Sequence, residues 1–172
     1  MRSTDGGLTW AIGGSVPATP QLDDGECEPA LLRNGSILLN MRAGPLRLVA
    51  RSDDAGHTFV DAHPAPGLSP VANCQGSTAA SASGDGTLLF TAPAGSNKRK
   101  NLSLAVSSNG GTSWEYVQVV HAGPSAYSSL APTSAACTAV LFEGGAAIAE
   151  ATNTVPSHYQ HIFYASICAR ES

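Results

Sequence analysis

The sequence predicts an all-β protein built as part of a β-propeller, and three observations carry that expectation. Gly 18 and Pro 11 stand against only 13% charged residues, the composition of many turns joining short apolar runs and not of a helical bundle. A loop string recurs, first as Arg2-Ser3-Thr4-Asp5-Gly6-Gly7-Leu8-Thr9-Trp10, then as Arg51-Ser52-Asp53-Asp54-Ala55-Gly56-His57-Thr58-Phe59, then more loosely as Val106-Ser107-Ser108-Asn109-Gly110-Gly111-Thr112-Ser113-Trp114. The strings start at Ser3, Ser52 and Ser107, about 50 residues apart. That is the period of a propeller blade and far too long for a leucine-rich or tetratricopeptide unit.

Each loop has a readable physics. Asp5, Asp54 or Asn109 accepts hydrogen bonds from the backbone of its own turn, the glycines supply positive φ, and the closing Trp or Phe is expected to plug the layer beneath. Between the loops the strands follow in order. Ala30 to Leu32 and Ser36 to Asn40 flank Asn34-Gly35, the strongest short hairpin signal. Leu46 to Ala50 runs into the second loop, and Ser77 to Ser81 pairs with Thr87 to Phe90 across Gly84-Asp85-Gly86. Asn101 to Ser107 and Glu115 to Val120 flank the third loop. Thr138 to Glu143 follows, Ala146 to Ala151 is ambiguous, and His161 to Ile167 makes the last strand. Gly123-Pro124 reads as a turn that holds Tyr127.

The 172 residues suffice for one domain that buries roughly 70% of its unfolded surface. At the blade period they supply about three to four blades, whereas rings close with typically four to eight. Met1 falls directly before a repeat loop, so the expectation is that residues 1–172 are the later portion of a larger ring. A net charge of −4 argues against a nucleic-acid partner. No apolar run reaches the length of a spanning helix, and residues 1–15 lack the charged start and apolar core of a secretory leader. Cys27, Cys74, Cys137 and Cys168 lie far apart without a CxxC pair, so no metal site is expected, and disulfide pairing is left open. Asn34-Gly35-Ser36 and Asn101-Leu102-Ser103 are potential glycan acceptors.

The repeated loops resemble the Asp boxes of sialidases, which sortilin-like receptors and some glucan hydrolases also carry. More specific is Gly25-Glu26-Cys27-Glu28-Pro29-Ala30-Leu31-Leu32-Arg33-Asn34-Gly35-Ser36-Ile37-Leu38-Leu39-Asn40-Met41-Arg42, which resembles the sialidase segment whose catalytic Glu precedes a hairpin ending in Asn-x-Arg. Ala72-Asn73-Cys74-Gln75-Gly76-Ser77 is similar to the Cys-Gln-x-Ser stretch that follows. Arg99 to Leu104 is similar to the segment of the next active-site Arg, and Gly123 to Leu130 to that of the nucleophilic Tyr. Val140-Leu141-Phe142-Glu143-Gly144-Gly145 resembles the family's Leu-Tyr-Glu-x-Gly, with Phe for Tyr. The likeness runs over nearly the whole chain and is nearest to the lysosomal-type and bacterial exo-sialidases.

That resemblance implies a six-bladed propeller and an exo-α-sialidase, a retaining hydrolase without cofactor that acts on sialylated glycoconjugates. Tyr127 would be the nucleophile and Glu26 its base; Glu28 is the rival acid, but only Glu26 keeps the family's spacing to Arg42. Arg42 and Arg99 would hold the substrate carboxylate, and Glu143 would orient a neighbouring Arg. The chemistry fits these residue types. Sialic acid carries a carboxylate on its anomeric carbon, which repels a carboxylate nucleophile and not a neutral phenol. Guanidinium forks match a planar carboxylate. Arg47 and Arg51 have no motif support and are read as structural. The family's third clamp Arg and its acid/base Asp have no match here, since Asp5, Asp23, Asp24, Asp53, Asp54, Asp61 and Asp85 sit in turn or loop contexts. The alternative is a non-catalytic glycan-binding or interaction propeller. The resemblance implies a lysosomal or secretory route, and the sequence leaves a cytoplasmic one open.

Overall fold

The computed structural model describes residues 1–17, 25–96, 98–145 and 158–169, and every regular element among them is a β-strand. The first sheet is antiparallel in the order β1 (Cys27–Leu31), β2 (Ile37–Ala43), β3 (Leu46–Ser52), β4 (Val60–Pro64). Asn34-Gly35 closes the β1–β2 hairpin as its residue types dictate: Gly35 has φ 88°, and Asn34 Oδ1 accepts from Ser36 N at 3.1 Å. β4 escaped the sequence reading because Asp61-Ala62-His63-Pro64 has little apolar alternation. It is an edge strand, where a Pro without an N–H is tolerated.

The second sheet runs β5 (Ser77–Ala80), β6 (Leu88–Pro93), β7 (Lys100–Ser107), β8 (Glu115–Pro132), and continues through β9 (Cys137–Gly144) to β10 (His161–Cys168). Its centre is β8, which serves two blades. Residues from Glu115 to Pro124 pair with β7, and residues from Ser125 to Pro132 pair with β9. The described residues therefore form two four-stranded blades and three strands of a third, an all-β partial propeller. Gly123 to Leu130, expected as a turn, is strand: the Gly-Pro pair falls where β8 passes from one sheet to the next, and register shifts on either side absorb the missing ladder bond. The Ala146 to Ala151 stretch and Asp23 and Asp24 lie outside the described residues.

Apolar layers between the blades hold them together. Leu38, Val49, Leu68, Leu88, Phe90 and Trp114 fill the space between the first and second blades, and Leu102, Leu104, Leu130, Val140 and Phe142 that between the second and third. The strands that open each blade would present unpaired amides, and neighbouring side chains take them up. Glu28 Oε2 accepts from Thr78 N at 2.7 Å, Gln75 Oε1 from Ser128 N at 3.0 Å, and Ser77 Oγ from Leu130 N at 2.9 Å.

The repeat loops form as their chemistry predicts. Asp54 Oδ1 accepts from Thr58 N at 2.8 Å, Asp5 Oδ1 from Thr9 N at 2.9 Å, and Asn109 Oδ1 from Ser113 N at 3.0 Å. The closing aromatics differ. Trp114 is buried against Phe90 and Phe59 packs on the outer face of the first blade, but Trp10 is 61% exposed and does not plug a layer. Among the described residues its loop meets no named strand; the Arg2–Ala11 bridge closes it on itself, and Trp10 Nε1 donates to Gly7 O at 3.0 Å. A disulfide joins Cys137 to Cys168, directly paired positions of β9 and β10.

Candidate active site

The strand directions gather one end of the blades into a shared surface. β1, β5 and the second half of β8 begin there, β2 and β9 end there, and the Asp54 and Asn109 loops lie at the opposite end, past the ends of β3 and β7. The five residues expected to form the site all sit at this one end. Glu26 precedes β1, Arg42 is near the end of β2, Arg99 precedes β7, Tyr127 lies on β8 and Glu143 near the end of β9.

Glu26 and Arg42 meet because the backbone before β1 presses onto the end of β2. Arg42 N donates to Glu26 O at 2.9 Å, and a Cβ at Gly25 would lie 1.9 Å from Arg42 O, so only glycine permits the approach. The side chains then join: Arg42 Nη1 donates to Glu26 Oε2 at 2.6 Å. From the third blade, Tyr127 falls between the Ser125 and Ser128 pairings, an irregularity of the kind that re-aims a side chain. Its hydroxyl donates a short hydrogen bond to Glu26 Oε1, and Arg42 Nη1 lies 3.5 Å from the same hydroxyl. Glu28 faces away to Thr78 N, so the structure separates the two acids that the sequence left as rivals.

The electrostatics follow from these contacts. Burial by itself would raise the Glu26 carboxyl, but the hydrogen bonds from Tyr127 and Arg42 outweigh it and hold the group below its usual range. Tyr127 is pushed up, first by its bond to Glu26 and then by burial. Arg42 is raised chiefly by its bond to Glu26. The proton thus rests on the phenol, and the carboxylate beside it is an anion able to receive it.

Arg99 reaches the same cluster from the second blade. Its guanidinium lies 5.7 Å from the Tyr127 ring centroid, Nη2 donates to Asn73 O at 3.1 Å, and Nη1 makes a short bond to Tyr159 Oη. Glu143, expected to orient a neighbouring Arg, instead meets the nucleophile candidate through the backbone, Oε2 accepting from Tyr127 N at 3.2 Å. Arg47 and Arg51 are structural, as read from the sequence. Arg47 is fully buried, donates from Nε to Asn40 Oδ1 at 2.8 Å and from Nη1 to Cys74 O at 3.2 Å, and burial lowers it only to about 10. Arg51 Nη2 donates to Gly110 O at 3.0 Å.

Two participants were missed. Asn73 Oδ1 accepts from Arg42 Nε at 2.7 Å; its neighbours Cys74 and Gln75 carried a motif, but nothing in a lone Asn marked it. Tyr159 meets Arg99 from a turn remote in sequence, and no local pattern pointed there.

The family described as the BNR repeat-like domain matches residues 1–140. Among solved structures, the Hadza microbial sialidase Hz136 superposes with a TM-score of 0.75 at 25% identity, over 96% of this chain and 31% of that one. The intramolecular trans-sialidase from Ruminococcus gnavus, in complex with oseltamivir carboxylate, gives 0.70 at 19% identity over 96% and 37%, a likeness of fold. Trypanosoma rangeli sialidase with 2,3-difluorosialic acid, described as a covalent intermediate, gives 0.60 at 25% identity over 82% and 23%. The chain spans well under half of the length of these solved chains (31%, 37% and 23%).

Proposed function

Because this chain belongs to the family of BNR repeat-like domains, we propose that it supplies the nucleophilic part of an exo-α-sialidase, a retaining hydrolase releasing terminal sialic acids from oligosaccharides, glycoproteins and gangliosides. The observation that carries the reading is the Tyr127 hydroxyl bonded to Glu26, with Arg42 on the same carboxylate. A lone Tyr is a poor nucleophile, with an ordinary pKa near 10. A Tyr bonded to an ionised acid can lose its proton as it attacks. The Tyr127 oxygen bonds to the anomeric carbon, its proton passes to Glu26 Oε1, and the glycosidic bond breaks with the electron pair leaving on the aglycone oxygen. Because Glu26 is held low and Tyr127 high, full deprotonation before attack is unfavourable, and the transfer is coupled to formation of the new bond. Water then cleaves the glycosyl–tyrosine bond: its hydroxyl joins the anomeric carbon, its other proton is released to solvent and balances the one taken up by the departed aglycone oxygen, and Tyr127 recovers its own proton from Glu26.

Arg42 and Arg99 are the clamp for the substrate carboxylate, and Glu143 steadies the Tyr127 backbone. The acid that protonates the aglycone has no match in this sequence, and lacking it costs typically 10²–10⁴-fold in rate. Turnover by residues 1–172 alone is therefore expected to be slow. The test is release of fluorophore from a methylumbelliferyl sialoside, with 2,3-difluorosialic acid as a covalent trap. The full-length protein is expected to turn over the sialoside and to gain the mass of one fluorosialyl group on the Tyr127 peptide, and Tyr127→Phe to do neither. Equal rates in the two proteins would sink the assignment, and binding of the sialoside without release would favour a glycan-binding propeller.

A further inference from the structure

We infer that Asn73 is a positioning residue that sets the Arg42 and Arg99 guanidiniums as one pair spaced for a single planar carboxylate. The inference rests on the sialidase reading and extends it to what discriminates an acidic sugar from a neutral one. The two arginines come from different blades, carry like charge and have flexible stems, so nothing in their own strands fixes their separation. Glu26 holds Arg42 and Tyr159 holds Arg99, but Asn73 bonds to both with two acceptors on one residue: Oδ1 takes Arg42 Nε at 2.7 Å, and the backbone oxygen takes Arg99 Nη2 at 3.1 Å. The distance between the guanidiniums is thereby tied to the covalent geometry of a single amino acid.

That residue is itself anchored. Asn73 is exposed toward the site, but Ala72 and Cys74 on either side are fully buried. Ala72 N donates to Pro93 O at 2.9 Å, Cys74 O accepts from the buried Arg47, and Gln75 Oε1 holds Ser128 N, one residue beyond Tyr127. The segment from Ala72 to Gln75 thus carries both arginines on its outer side and fixes the strand of the nucleophile on its inner side. The amide is also the appropriate chemistry. An Asp at this place would make the same bonds, but its charge would compete with the substrate carboxylate for the same guanidiniums.

The experiment uses the full-length protein with Asn73→Ala and Asn73→Asp. The probes are 2-deoxy-2,3-didehydro-N-acetylneuraminic acid and its methyl ester, which differ only in the carboxylate, and ¹⁵N spectra report the Arg42 Nε–H directly. Unaltered protein is expected to prefer the acid over the ester. Asn73→Ala is expected to lose a slowly exchanging arginine Nε–H signal and to cut the acid-over-ester preference about tenfold, with ester affinity unchanged. Asn73→Asp is expected to keep the signal and still lose the preference. A preference that survives both substitutions, or acid and ester weakening in parallel, overturns the inference alone. Absence of any acid preference in the unaltered protein overturns the sialidase reading and the inference with it.

Discussion

The proton shared by Glu26 and Tyr127 gives the site its pH response. On the proposed mechanism catalysis needs Glu26 ionised, and its folded pKa is depressed, so the anion persists as pH falls below the ordinary Glu value of about 4.3. The acid limb of kcat/KM is expected below that value, and Glu26→Gln is expected to flatten it while lowering the rate about 10²–10⁴-fold. Steady-state rates across pH check both; a limb near pH 6 contradicts the assignment. The same depression stabilises the fold above the unfolded pKa and is lost as pH drops through the folded one. Glu28 separates from Glu26 by the opposite signature. Glu28→Ala orphans Thr78 N between two blades and is expected to cost about 1–3 kcal/mol in urea unfolding at every pH, whereas the loss from Glu26→Gln is expected only above the unfolded Glu pKa and to vanish as pH falls through the folded one. Spacing in the sequence favoured the right acid of this pair for contact with Tyr127. It could not reveal Asn73, whose importance lies in reaching two arginines from other strands.

At the scale of loops and strands, local chemistry was legible where the interactions are local. The Asn34-Gly35 hairpin and the Ser-x-Asp loops bond within a few residues, so their side chains declare them. Asp54 is depressed mainly by its Thr58 side-chain and backbone hydrogen bonds. Its contribution is therefore present above the unfolded Asp pKa of about 3.9 and lost as pH falls. Asp54→Ala is expected to lower Tm, and Asp54→Asn to retain most of it, because Asn109 already does this work in the third loop. Thermal melts at neutral pH decide; equal losses would contradict the part assigned to the side-chain oxygen. Trp10, β4 and the Gly123-Pro124 segment were misread or missed for one reason. Their conformations depend on which strands lie beside them, and pairing partners are not written in the local pattern.

Across the whole molecule, the site is assembled from three blades, with Glu26 and Arg42 from the first, Asn73 and Arg99 from the second, and Tyr127 and Glu143 from the third. The blade period was visible in the repeats, and the order of motifs made the fold class legible before any contact was known. What stayed hidden was the stitching, both between blades, as in Glu28 to Thr78 N, and within one. The Cys137–Cys168 disulfide, separated by 31 residues, ties β9 to β10 far from the chemistry. Cys137→Ser with Cys168→Ser is expected to lower unfolding free energy by about 2–4 kcal/mol, measured by chemical denaturation, with the Tyr127–Glu26 chemistry preserved.

The sharing of β8 between two sheets has a mechanical consequence. Tyr127, the proposed nucleophile, is carried by a strand clamped in the second blade at one end and in the third at the other, while Glu26, its proposed base, is rooted in the first. Leu104 and Phe142 pack in the layer between the second and third blades, so a change in that layer that tilted one blade on the next would change the reach of the Tyr127 oxygen. On the proposed mechanism the apolar layers between blades would therefore act as a focusing adjustment for the reaction. Conservative swaps deep in those layers can tune turnover while leaving every residue that meets the sugar unaltered.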